Sequence, residues 1–74
     1  MAARLPSVTA EDARRAFESY GFRTVGQSGS HAKLKNGDGI TLIVPMHRGD
    51  LKRPLLKALI KQAKLTEAAF RKLL

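Results

Sequence analysis

One of the two histidines, His31, is followed at every second position by a lysine, Lys33 and then Lys35, in the stretch Gly29-Ser30-His31-Ala32-Lys33-Leu34-Lys35. An imidazole exchanges a proton near neutral pH and ammonium groups attract phosphate. These side chains therefore suit contact with an RNA backbone, and its cleavage. Such chemistry needs them on one surface. In a strand, period-2 alternation places His31, Lys33 and Lys35 on one face and Ala32 and Leu34 on the other, so that one face packs while the other presents the imidazole beside two cations. A solvated hairpin strand has the same pattern, and the segment alone does not choose between the two.

The flanking elements have to hold that strand in place. Residues 9–20 predict a helix: Thr9 can cap it, Asp12 follows three positions on, Val8 sits where a hydrophobic staple would, and Ala13, Ala16, Phe17 and Tyr20 share one face. Gly21 is a natural stop, with Phe22 folding back onto the helix. Phe22 to Gln27 reads as a strand in which Phe22, Thr24 and Gly26 face opposite Arg23, Val25 and Gln27. Ser28-Gly29-Ser30 returns the chain into His31 to Lys35. Asn36-Gly37-Asp38-Gly39 is the strongest hairpin signal, because Asn and Gly tolerate positive φ. Ile40 to Val44, nearly all apolar and β-branched, is expected as the central or best-buried strand, ended by Pro45.

Met46 to Arg53 reads as a loop, and Pro54 suits the first position of a helix. In that helix Leu56, Leu59, Ile60 and Ala63 form the apolar stripe, while Lys57, Lys61 and Lys64 form a second row, the kind that is usually just the solvated side. Thr66 can cap a short last helix with Ala69, Phe70, Leu73 and Leu74 as its apolar side. The order α-β-β-β-α plus a short helix implies an α+β two-layer sandwich, both main helices covering one face of an antiparallel sheet. The other face, carrying His31, Lys33 and Lys35, is then open.

Composition bounds the partners. The 74 residues leave room for one domain with a modest core. No cysteine is present, which excludes a disulfide framework and any thiolate chemistry. No apolar run reaches membrane-span length and the start lacks the core of a signal peptide, so a cytoplasmic protein without membrane contact is expected. The net charge is +8, from fourteen Lys and Arg against six Asp and Glu. Three of the acids, Glu11, Asp12 and Glu18, lie before residue 20, so the basic excess falls on the strands and the second helix and favours a polyanionic partner. Many small soluble domains are basic without binding nucleic acid, and an acidic protein would satisfy the same charge.

The order and spacing of several short elements resemble a HicA-type toxin, the small mRNA interferase of bacterial toxin–antitoxin pairs. They are Leu5-Pro6-Ser7-Val8-Thr9, Tyr20-Gly21-Phe22, Gly29-Ser30-His31, Val44-Pro45-Met46-His47, Leu51-Lys52-Arg53 and Leu56-Lys57-Ala58-Leu59-Ile60-Lys61-Gln62-Ala63 with Leu65. The resemblance implies a double-stranded-RNA-binding-like fold, no metal or other cofactor, mRNA as substrate, a HicB-type antitoxin covering the active face, and His31 as the catalytic histidine. Two departures stand out: Ala32 replaces the second histidine that many members carry, and Pro54-Leu55 replaces Gly-Thr at the second helix, leaving Arg53 as a poor cap.

Metal-free RNA cleavage by the 2′-hydroxyl needs a proton acceptor, a proton donor for the leaving 5′-oxygen, and cations for the phosphate charge. His31 suits either proton role. Lys33 and Lys35 are the candidate phosphate contacts, with Arg23 and Arg48 behind them and Gly29 and Ser30 in the same element. His47 either pairs with His31 as acid and base or simply orders its loop. Ser30 is expected to make a turn hydrogen bond and Tyr20 to pack at the helix end; with no Trp, an aromatic base-stacking platform is poorly supported. A non-catalytic RNA-binding module of the same fold is the alternative reading.

Overall fold

The computed structural model describes residues 5–74 as α1 (Ala10–Ser19), β1 (Arg23–Ser28), β2 (His31–Lys35), β3 (Thr41–Pro45), α2 (Arg53–Gln62) and α3 (Glu67–Leu73). Met1 to Arg4, on which part of the signal-peptide reading rests, lie outside the described residues. Thr9 caps α1, its hydroxyl accepting from the Asp12 N–H at 3.0 Å, and Glu11 and Asp12 place negative charge at the positive end of the helix dipole. The exit follows from Gly21, which takes φ +118°. The Gly21 N–H donates to the Glu18 carbonyl at 3.2 Å and the Phe22 N–H to the Phe17 carbonyl at 3.0 Å. This left-handed ending folds the Phe22 ring edge-on against Phe17, with centroids 5.9 Å apart.

The sheet is an antiparallel meander in the order β1-β2-β3. The middle strand in sequence is thus the middle one in space, and β3 lies at an edge, not at the centre as its apolar run suggests. Its burial alternates: Leu42 and Val44 are fully buried while Ile43 is 47 % exposed. An apolar run belongs to a two-sided buried strand only when both sheet faces are covered, and here one is not. In β1 the expected alternation fails at a β-bulge: Thr24 pairs with Leu34 and Gly26 with Lys33, leaving Val25 as the extra residue. Phe22 precedes the strand as a core residue, and all six residues of β1 are exposed.

The two hairpins use different devices. The β1–β2 connection is a two-residue turn, Gly29-Ser30, between the paired Ser28 and His31, with Gly29 at φ +59°. The Asn36–Ile40 loop takes positive φ only at Gly39, not at Asn36 or Gly37. There the Asn36 side-chain oxygen accepts from the N–H of Asp38 at 3.1 Å and of Ile40 at 2.8 Å, adding to two backbone bonds within the loop, from the Asn36 N–H to the Ile40 carbonyl and from the Gly39 N–H to the Asn36 carbonyl, both at 3.1 Å.

The core lies between one sheet face and the helices. Ala32, Leu34, Leu42 and Val44 from the sheet meet Ala13, Ala16 and Phe17 of α1, Leu56, Leu59 and Ile60 of α2, and Phe70 of α3. Helix α2 begins at Arg53 with Lys52 as N-cap and no side-chain capping bond, so Pro54 is the second helical residue. Arg53 donates instead to the Leu5 carbonyl at 2.7 Å, tying the start of the described chain to α2. Thr66 caps α3 through the Ala69 N–H at 3.0 Å. Leu74, expected on the apolar side, is half exposed, and Tyr20, expected to pack, is 48 % exposed.

Candidate nucleic-acid interface

Strand β2 places Ala32 and Leu34 at 0 % exposure against the helices and turns His31, Lys33 and Lys35 to the uncovered face. Cross-strand partners share a face, so the register defines its neighbourhood. Ser28 and Pro45 flank His31, Gly26 and Ile43 flank Lys33, and Arg23 and Thr41 flank Lys35. Along β2 the three polar residues stand about 7 Å apart. The Met46 N–H donates to the Ser30 carbonyl, which makes His31 and Pro45 a pair without hydrogen bonds between them. The missing N–H of Pro45 therefore costs the ladder nothing, and its ring stands beside the imidazole.

The cations of this face have no intramolecular anion. Ion pairs engage the acids of α1 instead, where Arg14 bridges Glu11 and Glu18 and Arg15 reaches Glu11 at 3.5 Å. The Arg14 hydrogen bond holds the Glu11 carboxyl below its ordinary value against an opposing desolvation, with the charges of Arg14 and Arg15 adding to the lowering. Glu18 also accepts from the Thr24 hydroxyl at 3.0 Å. Glu11 and Glu18 are thereby engaged on the helix side, while His31, Lys33, Lys35 and Arg23 make no ion pair among the described residues.

Of the residues singled out from sequence, the structure brings Arg23 to Lys35, where both line a shallow depression with Gly21, Val25, Asn36 and Gly37. Gly29 and Ser30 form the turn at the His31 end. The turn hydrogen bond expected of Ser30 is not made by its hydroxyl among the described residues; its carbonyl accepts from the Met46 N–H as part of the β2–β3 ladder. Arg48 is not brought to the lysines; it lines a separate groove with Met46, His47 and Gly49 against Thr9, Ala10 and Glu11 at the start of α1. The exposed His47 side chain makes no hydrogen bond or ion pair among the described residues, so it does not order its loop in that way.

Three residues of the face went unrecognised in the sequence. Ser28 stands directly across from His31, and Val25 and Ile43 expose about half of their surface beside Lys33 and Arg23. Alternation alone puts Val25 with Arg23, and the bulge adds Gly26 and Ser28 to that side while turning Gln27 away. Among the described residues no three His, Cys, Asp or Glu side chains gather into a metal-binding group, and no helix is long and apolar enough to cross a membrane.

A helix, a three-stranded antiparallel meander and a covering helix, with a basic histidine-bearing face left open, define a protein of the double-stranded-RNA-binding-like fold. The family model described as HicA toxin of bacterial toxin–antitoxin matches residues 10–65, and the chain belongs to that family. The matched span runs from the first residue of α1 to Leu65, and so includes the whole sheet and α2. Among curated proteins no sequence matches the chain.

Proposed function

We propose that this toxin is a metal-independent endoribonuclease that cleaves mRNA on the open sheet face, with His31 transferring a proton. The observation that carries the reading is the placement of His31: exposed, unpaired, on the central strand, and in line with two lysines that have no internal counter-ion. In the reaction the 2′-oxygen attacks its neighbouring phosphorus while its proton is accepted. The P–O5′ bond breaks as a proton is delivered to the 5′-oxygen, giving a cyclic phosphate and a 5′-hydroxyl. His31 serves one of these transfers. Lys33, Lys35 and Arg23 offset the phosphate charge as it grows, and Gly29 and Ser30 bring the backbone of the turn close to the RNA. Arg48 contacts RNA only where the strand continues past the His31 end toward the start of α1.

The natural inhibitor in this reading is a HicB-type antitoxin that covers the same face. Expression of the chain and of His31→Ala, followed by growth and mRNA integrity, tests the proposal, together with cleavage by purified protein in chelator. The variant is expected to lose toxicity and to cleave about 10²- to 10⁴-fold more slowly, the range of one proton-transfer group. Equal toxicity and equal decay would overturn it, and RNA binding without cleavage by either protein would favour the non-catalytic module. A His47→Ala variant run beside it tells whether the second proton passes through that imidazole or through water.

A further inference from the structure

We infer that Arg23 and Lys35 form a distal phosphate subsite for single-stranded RNA, holding the phosphate two nucleotides along from the one at His31; this register rests on the cleavage reading and extends it. The two residues face each other across β1 and β2 and line one depression with Gly21, Val25, Asn36 and Gly37, at the opposite end of β2 from His31. From Gly21 to Gly37 the chain carries Arg23, Lys33 and Lys35 and no acid. Asp38, the next acid along the chain, pairs with neither Arg23 nor Lys35.

Distance separates this pair from the reacting bond. His31 and Lys35 are the two ends of β2, about 14 Å apart. Successive phosphorus atoms of RNA are joined by six bonds of about 1.5 Å, so one nucleotide spans under about 9 Å even when drawn straight, and two are needed to cover the interval. With the cleaved phosphate at His31, Lys33 midway meets the next one, and the Arg23–Lys35 depression meets the one after. The pair thus touches a neighbouring phosphate directly and acts on the cleaved one only through its field. Such a row follows one backbone, as do the basic grooves that bind unpaired strands.

Two further observations favour an anion with an attached base. Like charges placed directly across a strand pair repel, and the fold gives Arg23 and Lys35 no side-chain partner in return. A phosphate seated between them offsets that repulsion and meets a guanidinium and an ammonium together. Gly37 takes no positive φ, and a β-carbon on it would meet nothing within 4 Å, so neither backbone nor packing demands the glycine. Its missing side chain leaves the rim of the depression low enough for a ribose to approach. Val25, half exposed in the same depression, offers the base an apolar surface that a carboxylate would not use.

The test uses single-stranded 2′-O-methyl RNA of about ten nucleotides, within the range such grooves hold. One version carries a single 2′-hydroxyl, which confines cleavage to one bond, and has its phosphodiesters replaced one at a time by neutral methylphosphonate. Neutralising the phosphate two steps from the cleaved bond, on one side of it, should raise KM at least about fivefold for wild type and change it less than about twofold for Arg23→Gln/Lys35→Gln. The version without a hydroxyl cannot be cut and reads binding alone: in the variant the slope of log K against log salt should fall in magnitude by about 1 to 1.5, with Tm unchanged because both side chains are exposed. An unchanged slope would overturn the inference whatever the cleavage result, and so would cleavage in which no single distal phosphate couples to the pair. A reduced slope with no cleavage by wild type would instead refute the cleavage reading and leave the subsite standing. Weakened binding of a poly-glutamate peptide with an unchanged RNA slope would overturn the subsite and assign the pair to an acidic protein.

Discussion

Replacing Phe70 by Ala tests whether the helix layer is a single unit that the open sheet face merely rests on. The Phe70 ring is fully buried, with its centroid 5.1 Å from that of Phe17 and the planes tilted by 45°. Phe17 in turn touches Phe22, so the three rings join α3, α1 and the entry to β1. Truncating a core Phe to Ala costs about 3–5 kcal/mol, which includes the ~0.5–1.5 kcal/mol of the aromatic pair. At about 0.05–0.15 kcal/mol per residue, 74 residues give a total of about 4–11 kcal/mol, so the variant keeps about 70 % of its stability at best and unfolds at worst. With each kcal/mol worth about 4–8 °C in a domain this small, Tm should fall by at least about 12 °C. Urea unfolding followed by circular dichroism should show a lower midpoint with an unchanged slope, because the seven residues of α3 do not hold a helix alone. A loss under about 1 kcal/mol would refute the role given to the ring. A lower cleavage rate per folded molecule in the cold would refute the separation of the two layers.

On the sheet face, Lys33→Gln/Lys35→Gln should weaken binding to RNAs of different sequence alike and reduce the salt slope by about 2, read by anisotropy titration; sequence-dependent losses would instead show base readout. On α1, the lowered folded-state value of Glu11 sets a sign. Its contribution is present above the ordinary 4.5 and is lost as pH falls through the depressed value, so the stability gap between wild type and Glu11→Gln should hold near neutral pH and close in acid. A gap that widens as pH falls would contradict the pairing with Arg14. Because this carboxyl is exposed, the effect should also shrink in high salt.

The sequence was most legible where one residue acts on its immediate neighbours. The Thr9 and Thr66 caps, the Gly21 stop and the alternation of β2 follow from side-chain chemistry within four residues, and each is present. It was least legible where a residue's surroundings come from another strand. The buried and exposed sides of β3 depend on which sheet face the helices cover, so the apolar run pointed to the centre while the meander placed it at the edge. The bulge at Val25 inverts the expected face of part of β1, and nothing local marks it. In the Asn36 loop the residue type was informative but its means was not: its amide acts through hydrogen bonds, and Gly39 takes the unusual φ. As for the candidate site, the His31, Lys33 and Lys35 face could be read from spacing, whereas Ser28 and Ile43 enter it only through register.

On the proposed reading, the distribution of charge and apolar surface lets one face serve two opposed partners. Glu11 and Glu18 engage Arg14 and Arg15, which leaves α1 locally balanced and concentrates the +8 on the sheet face and α2. RNA attracted by that field gains mainly by releasing counter-ions, and its hold weakens steeply as salt rises. Val25 and Ile43, each about half exposed between the cations, offer RNA little but offer a protein apolar surface to bury, a gain that salt does not screen. An inhibitor that matched the cations alone would compete with RNA on equal terms and be released with it. On that reading, one that also covers Val25 and Ile43 is expected to stay bound at salt concentrations that strip RNA from the same lysines, and a Val25→Ser/Ile43→Ser variant should lose that salt resistance.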